Sequence, residues 1–270
     1  MSKTSIIGTL ADKGGVGKTT IIYNKAEHDA ANGKKVLLID GDENRHLSSI
    51  YNNYQNTGTV MNCFSDKEEV EFVHVKENLD LIPGSKELGE LNTQLATATN
   101  KETKFFMWLL DHADELEQYD RIYIDLHPNM SIITKNFLIV CDLLLCPVEP
   151  HKFSFEGLDS AKINLDKFRG EMIDFRSRET LVKAQLMFIG NKVKHNTKSS
   201  FSFKKVVEDR DDFLGFFWDR TLMANSTSEN IPIVEMLKDE NLMKDKSTRE
   251  YLLHTEETLE NISKYIDLYV

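Results

Sequence analysis

Cysteine and proline are scarce in the sequence, and long apolar runs are missing. Only three of the 270 residues are cysteine and the N-terminus has no signal-peptide pattern, so we expect a cytoplasmic protein without a disulfide framework. Asp142 interrupts the most apolar stretch, and no run approaches the roughly 20 apolar residues of a membrane helix. The five prolines lie at the ends of apolar runs, and no linker rich in Pro, Gly or Ser divides the chain. The sequence therefore predicts a single domain over residues 1–270, with no membrane segment.

Basic residues are outnumbered, but they are not spread evenly. The chain has 33 Lys and Arg against 44 Asp and Glu, and its net charge of −11 argues against nucleic acid as a partner. Residues 152–205, in contrast, contain 12 Lys and Arg against 6 Asp and Glu. Two interpretations remain open: a basic face on an acidic protein, or lysines that merely solvate helix surfaces.

Short apolar runs alternate with stretches of helical spacing along most of the chain. This alternation predicts an α/β fold, in which a mainly parallel twisted sheet is covered by helices on both faces. Such sheets bind ligands at the carboxyl ends of their strands. We therefore expect the chemistry just after Leu10, Ile39, Ile124 and Val148.

The pattern is less clear in two parts of the chain. Residues 102–116 have the spacing of one helix. Toward the C-terminus, the pattern predicts a last strand over residues 216–223 and helices over residues 228–237 and 247–266. No element is predicted between Asn191 and that last strand.

A glycine-rich stretch follows the first strand and leads directly into a helix. Its glycines allow backbone N–H groups to turn around an anion, and the helix N-terminus adds partial positive charge. Lys18 would reach the β- and γ-phosphates of a nucleotide, and the Thr19 hydroxyl would ligate Mg²⁺. The residues expected to bind the nucleotide, called the phosphate loop below, are Lys13, Gly14, Gly15, Val16, Gly17, Lys18, Thr19 and Thr20.

Two further strands end in aspartate. Asp40 and Asp42 close the second strand two residues apart, so they point to the same face and can serve a metal and a water, although Asp also favours plain turns. Asp125 ends the apolar run 121–125, which is the Walker B pattern for a group beside Mg²⁺. His127 follows it and is interpreted as structural.

One departure from the ordinary phosphate loop points to a particular family. Asp12 stands in place of the usual first glycine and Lys13 follows it, which resembles the deviant Walker A motif of the ParA/MinD family of P-loop ATPases. The resemblance implies ATP and Mg²⁺ as cofactors and an ATP-sandwich homodimer, in which Lys13 acts on the partner's nucleotide. It also implies that Asp40 lies in the water shell of Mg²⁺ and that Asp42 positions the attacking water.

The resemblance extends over about residues 3–195 and leaves a C-terminal helical part of about residues 196–270. It implies catalytic roles for Lys13, Lys18 and Asp42 and metal-site roles for Thr19, Asp40 and Asp125. Asn191 stands where relatives often contact adenine.

Among the branches of that family, the chain is most similar to the small ParA-type DNA segregation ATPases. These imply an ATP dimer that binds double-stranded DNA non-specifically on the nucleoid. They also imply a ParB-like centromere-binding partner that stimulates otherwise weak hydrolysis and thereby releases the dimer. Two alternatives stay open: a MinD-like membrane-associated ATPase, which the acidic polar face of the C-terminal helix disfavours, and a regulatory ATPase that binds only proteins. The candidate DNA-binding residues are Lys192, Lys194, Lys198, Lys204 and Lys205, which have no acid among them.

Overall fold

Eight strands form one sheet in the part of the chain that the structure describes. A computed structural model describes residues 4–11, 13–65, 69–150 and 154–270, with only the backbone of residues 154–157. Asp12 and the start of the predicted basic stretch, residues 152 and 153, lie outside the described residues. The strands are β1 (Ser5–Thr9), β2 (Val36–Gly41), β3 (Val73–Lys76), β4 (Leu79–Ile82), β5 (Arg121–Leu126), β6 (Leu143–Val148), β7 (Gln185–Val193) and β8 (Phe213–Trp218).

The strand order puts β1 and the loop that follows it near the middle of the sheet. Across the sheet the order is β3-β4-β2-β5-β1-β6-β7-β8. Every neighbouring pair of these strands is parallel except β3 with β4. The predicted mainly parallel sheet is therefore confirmed, and the carboxyl ends of its parallel strands share one edge, where such sheets bind ligands.

Helices cover both faces of the sheet. All residues of β2, β5 and β6 are buried, as expected for parallel strands packed on both sides. Alternate residues of β2 enter opposite cores, since Leu37 packs in the cluster of Phe137 and Leu38 in that of Ile21. A 3-10 helix spans Val60–Phe64. The α-helices of the described residues are α1 (Lys18–Ala31), α2 (His46–Ile50), α3 (Leu88–Leu95), α4 (Lys104–Asp111), α5 (Ala113–Leu116), α6 (Ile132–Val140), α7 (Ser154–Glu171), α8 (Lys198–Val207), α9 (Thr221–Ser228), α10 (Ile233–Met236), α11 (Glu240–Lys244) and α12 (Lys246–Tyr269).

The C-terminal part packs onto the same sheet as the rest. β8 pairs with β7 at the sheet edge, so the region beyond residue 195 is not purely helical. Leu259 and Ile262 of α12 lie in the same apolar cluster as Ile21 of α1. No helix in the described ranges is long and apolar enough to cross a membrane. The predicted single domain, with a nucleotide core over residues 3–195, stays a prediction.

Three element boundaries were predicted wrongly. The strand predicted over residues 216–223 ends at Trp218, and α9 begins at Thr221. The helix predicted over residues 228–237 is interrupted, because Pro232 has an extended backbone (ψ 157) and α10 starts only after it. The helix predicted over residues 102–116 divides into α4 and α5 at His112.

Helix α8 was missed by the sequence pattern. Its buried apolar residues, Phe203 and Val207, are one turn apart, but basic and hydroxyl residues surround them and hide the period. The better signal was at its start, where the Thr197 side chain accepts a hydrogen bond from the backbone N–H of Ser200. This is a standard N-cap arrangement.

Candidate nucleotide-binding site

The phosphate loop connects β1 to α1 through two glycines with left-handed backbone angles. Gly15 has φ 76 and Gly17 has φ 95, a region in which other residues are strained. A Cβ atom at Gly17 would also lie 2.3 Å from the side-chain nitrogen of Asn191. The first turn of α1 has no acidic residue and no side-chain cap, so its N–H groups remain available to an anion.

A cleft of about 590 Å³ lies in front of this loop. Its volume is within the usual range for pockets that hold small ligands. The lining combines the loop with the end of β2, α2, the end of β5 and the C-terminal end of α9, so three of the four regions predicted to carry chemistry meet here, and the region after Val148 does not line the cleft. The lining residues are Gly14, Gly15, Gly17, Lys18, Thr19, Thr20, Asp42, Asn44, His46, Ser49, Ile50, His127, Pro128, Thr227 and Ser228.

Lys18 is a nearly buried cation at the base of the cleft, with 8% of its surface exposed. Burial lowers its pKa, while the charges of Asp125 and Asp42 act in the opposite direction. A buried ammonium beside an open cleft is well placed to bind phosphate oxygens, which would replace the hydration that it has lost.

Thr19 and Asp125, both predicted to lie at a metal site, are joined directly. The Thr19 hydroxyl donates a hydrogen bond of 2.6 Å to Oδ2 of Asp125. The other oxygen, Oδ1, is buried and has no hydrogen-bond partner among the described residues. Burial, followed by the charge of Asp40, raises the pKa of Asp125 to about 7. A cation beside this carboxylate would supply the missing partner and favour the ionised form.

These oxygen donors fit Mg²⁺. That ion prefers oxygen ligands and is usually held by one or two carboxylates, waters and substrate phosphates, without a dedicated protein cage. The described residues accordingly hold no cluster of three or more His, Cys, Asp or Glu of metal-binding geometry. Thr19 and Asp125 are the residues that would hold the ion.

Asp40 and Asp42 lie close in sequence but have different surroundings. Asp40 is fully buried, does not line the cleft, and accepts hydrogen bonds at Oδ2 from the backbone N–H (2.8 Å) and hydroxyl (2.6 Å) of Ser48. Asp42 lines the cleft, where its Oδ1 accepts from the backbone and side-chain nitrogens of Asn44 at 2.9 and 2.8 Å. Asp42 is thus the one placed to meet a ligand, and a role for Asp40 in the metal's water shell stays a prediction.

Ser48 contacts Asp40 beside the site, and no sequence pattern predicted this contact. Besides holding Asp40, its hydroxyl accepts a hydrogen bond of 2.9 Å from the backbone N–H of Gly84. Burial raises the pKa of Asp40 to about 6, and the two Ser48 hydrogen bonds partly offset that rise. Nothing in the sequence pairs these residues, because a serine eight positions after a strand-end aspartate is unremarkable.

The C-terminal end of α9 was also missed as part of the cleft wall. Thr227 and Ser228 line the cleft although they are about 200 residues from the phosphate loop. Asn24 of α1 anchors this region, since its side-chain nitrogen donates to the Ser226 hydroxyl at 2.8 Å and its oxygen accepts from the backbone N–H of Ile233 at 2.9 Å. Only the folded chain reveals this connection.

His127, interpreted as structural from sequence, lies in the cleft wall. Its Nδ1 atom is buried and has no hydrogen-bond partner among the described residues. The ring therefore contributes to the shape of the site whether or not it contacts a ligand.

Asn191 contacts the phosphate loop from outside the cleft. Its side-chain nitrogen donates to the backbone oxygen of Val16 at 2.8 Å, and its oxygen accepts from the backbone N–H of Lys192 at 3.0 Å. Both ends of the amide are bound within the protein here, and the predicted adenine contact stays a prediction. Lys13 is exposed at the start of the loop and does not line the cleft.

The five candidate DNA-binding lysines have unequal surroundings. The ammonium of Lys192 donates to the backbone oxygen of Gly15 at 2.7 Å and pairs with Glu149 at 2.6 Å, and its role at DNA stays a prediction. Lys204 lies over the Trp218 ring, 3.9 Å from its centroid. The stretch is free of acids in sequence, but folding brings acids to it.

The remaining three lysines, Lys194, Lys198 and Lys205, are exposed. Lys194 makes only a long ion pair, 3.9 Å from Asp219. Lys192 is also exposed, although Gly15 and Glu149 hold its ammonium, so four of the predicted five lysines face solvent.

A family model, curated relatives and solved structures all match this chain. A family model named AAA_31 and described as AAA domain matches residues 4–176. The chromosome partitioning protein ParA of Myxococcus xanthus is 31% identical over 159 residues, which make up 57% of this chain and 55% of that protein. The sporulation initiation inhibitor protein Soj of Bacillus subtilis is 31% identical over 162 residues, 57% of this chain and 61% of that one. The chain thus spans less than two thirds of the length of these curated relatives.

Solved structures match over nearly the whole chain. A putative plasmid partition protein of Borrelia burgdorferi bound to AMPPNP has a TM-score of 0.75 and 24% identity, and the match covers 97% of this chain and 99% of that one. An ATP complex of McdA from Cyanothece has a TM-score of 0.79 and 16% identity, with 99% and 98% covered. At these identities the likeness establishes the fold.

Proposed function

The chain belongs to the AAA_31 family and is a member of the ParA/MinD family of ATPases, and we propose that it is a ParA-type DNA partition ATPase. The observation that carries the proposal is the joined Thr19–Asp125 pair beside the buried ammonium of Lys18, in a cleft that also contains Asp42. This set has the parts that phosphoryl transfer to water requires: a phosphate cradle, a metal site and a group that can orient water.

The proposed chemistry assigns one task to each of these side chains. The loop N–H groups and Lys18 hold the phosphates of ATP, and Thr19 with Asp125 holds Mg²⁺. The bound ion neutralises charge on the phosphates. Asp42, fixed at the cleft wall by Asn44, positions the attacking water. Hydrolysis yields ADP and phosphate, and it is slow alone because catalysis here depends on positioned charges that a partner completes.

The proposed active form is a homodimer closed across the nucleotides. Lys13 is exposed at the entrance of the loop and does not line the cleft of its own protomer. From that position its ammonium is available to the nucleotide of a second copy, where a cation would stabilise charge on the transferred phosphoryl group.

DNA binding in this proposal belongs to the ATP dimer alone. Lys194, Lys198 and Lys205 are exposed and would contact backbone phosphates without reading sequence. Two copies double the number of such contacts, which makes affinity depend steeply on dimerisation. A ParB-like partner would stimulate hydrolysis and so release the dimer from the nucleoid.

The test is binding to random-sequence duplex DNA without nucleotide, with ADP, and with ATP and Mg²⁺, over a series of salt concentrations. Binding only with ATP, falling steeply with salt, is expected. No binding in any state, with ATP-dependent dimerisation intact, contradicts the DNA role and leaves the MinD-like and protein-only alternatives. Flotation with anionic liposomes then separates those two.

The structure gives the membrane alternative little support. The apolar face of α12 is already used, because Leu252, Leu259, Ile262 and Ile266 are at most 2% exposed. The helix would have to leave the protein core before it could enter a bilayer.

A further inference from the structure

Side chains at the carboxyl end of β7 contact three consecutive residues of the phosphate loop. Lys192 Nζ binds the backbone oxygen of Gly15 at 2.7 Å, and Asn191 Nδ2 binds that of Val16 at 2.8 Å. The same Asn191 nitrogen occupies the space where a Cβ of Gly17 would lie, which leaves room only for glycine there. Neither side chain lines the cleft in front of the loop, so both contact the loop from outside the cleft.

Peptide geometry links these contacts to the phosphate side of the loop. In a trans peptide unit, the C=O group and the N–H group of the next residue point in opposite directions, and the described chain has no cis peptide bond. Because the Gly15 and Val16 oxygens point toward β7, the N–H groups of Val16 and Gly17 point away from it. Phosphate cradles are made of N–H groups fixed in this manner.

Lys192 is held in position from two sides. Its backbone has φ 53, in the left-handed region that is unfavourable for lysine, and its N–H group donates to Asn191 Oδ1 at 3.0 Å. Its ammonium also pairs with Glu149, just beyond β6, at 2.6 Å. The Glu149 charge compensates that of Lys192 and fixes the ammonium at the loop.

We propose that Asn191 and Lys192 are positioning residues that hold the phosphate loop in its anion-binding form, so that Lys192 acts on nucleotide binding and not on DNA. The inference rests on the proposed ATP binding, but it is independent of the proposed DNA binding.

The experiment compares Lys192→Met, Lys192→Arg and a control, Lys183→Met. Met keeps an unbranched side chain at the left-handed position but removes the donor, whereas Arg retains a cationic donor. Lys183 is exposed and precedes the opposite end of β7. Affinity is measured for ATP and for inorganic tripolyphosphate, a probe with phosphates and no base, together with the unfolding midpoint of the ligand-free protein.

We expect Lys192→Met to weaken both ligands about ten-fold, the size of a lost hydrogen bond from a charged group. Lys192→Arg should restore most of that loss, Lys183→Met should change nothing, and the ligand-free unfolding midpoint should stay within a few degrees in all three. This combination supports the proposal, because a merely structural role would move the midpoint and not the affinities.

Three results overturn the proposal. The first is unchanged affinity of Lys192→Met for both ligands. The second is loss of ATP affinity with tripolyphosphate affinity intact, which would place Lys192 at the base or sugar. The third is weaker DNA binding at saturating ATP with normal ATP affinity, which would return Lys192 to the DNA-binding set. Failure of the wild type to bind either phosphate ligand overturns the proposed function as well as this inference.

Discussion

The hydroxyl of Thr19 donates to one oxygen of Asp125, and the other oxygen is buried without a hydrogen-bond partner among the described residues. We expect Asp125→Asn to keep the Thr19 hydrogen bond, since Asn retains an acceptor oxygen, but to lose the attraction for a cation. ATP affinity should then be the same with Mg²⁺ and with EDTA. Titration of ATP under both conditions checks this, with Thr19→Ser as a control that keeps the hydroxyl. A Mg²⁺-dependent gain that survives in Asp125→Asn would remove Asp125 from the metal site.

If Asp42 positions the attacking water, replacing it should slow hydrolysis without weakening ATP binding. Asp42→Ala removes the carboxylate at the cleft wall without touching Lys18 or the loop, so ATP affinity should stay within a few-fold of wild type. Phosphate release should fall by about a hundred-fold or more, the usual size for a positioned general-base or orienting group. The ATP dimer should then persist in light scattering. Normal turnover in this variant refutes the role.

The buried Asp40–Ser48 pair predicts a stability effect at the end of β2. Ser48→Ala removes the hydroxyl that donates to Asp40 at 2.6 Å and accepts from the backbone N–H of Gly84 at 2.9 Å. Because these partners are buried, the free energy of unfolding should fall by about 2–3 kcal/mol. Urea denaturation measures it.

Ser49→Ala is the matched control for that experiment, since the Ser49 hydroxyl donates only to the backbone oxygen of Arg45 among the described residues. Its cost should stay below about 1 kcal/mol. Equal losses of unfolding free energy in the two variants would mean that the Ser48–Asp40 hydrogen bond adds no extra stability.

Local signals in the sequence located the centre of the site. The phosphate loop and Asp42 follow apolar strands, Asp125 lies near the end of another, and the carboxyl ends of parallel strands necessarily meet at one edge. The strand-helix alternation gave the mainly parallel sheet for the same reason. These features depend on neighbours in sequence, so a pattern can identify them.

Contacts between distant residues could not be predicted in this way. Lys192 was assigned to DNA from its acid-free neighbourhood in sequence, yet Glu149, just beyond β6, reaches it. Likewise, nothing local indicates that Asn24 holds Ser226 at the cleft wall. Charge counted along the chain is a poor guide to charge at a surface, because a sheet brings together residues that are remote in sequence.

Lys25 predicts a pH dependence of stability. It is completely buried beside Asp29 in a network with Arg121, and burial lowers its pKa to about 8. Between pH 8 and the ordinary lysine value, Lys25 binds one more proton in the unfolded chain than in the native state, so its contribution to stability should rise with pH in this window.

Urea denaturation at pH 7.5, 8.5 and 9.5 tests the Lys25 prediction, and the upper limit avoids the ionisation of tyrosines in the unfolded chain. The buried thiols of Cys63 and Cys141, whose pKa burial raises, lose protons first in the unfolded chain and lower the stability of both proteins as pH rises. Wild type should therefore gain stability relative to Lys25→Met across this series. A profile that falls equally in both proteins contradicts the assignment to Lys25.

The exposed lysines of α8 predict the salt dependence of DNA binding. Lys198 and Lys205 are solvent-facing, and neither forms an ion pair with a described residue. If each neutralises one DNA phosphate per protomer, replacing both with Ala lowers the slope of log affinity against log salt by about two per protomer. ATP binding should be unchanged, because both residues lie outside the cleft lining. The control is Lys246→Ala with Lys264→Ala, two exposed lysines of α12 that pair with Glu250 and Glu260. A slope that changes equally in both double variants would show that DNA affinity depends only on the total charge of the protein. It would also show that α8 does not form the DNA interface.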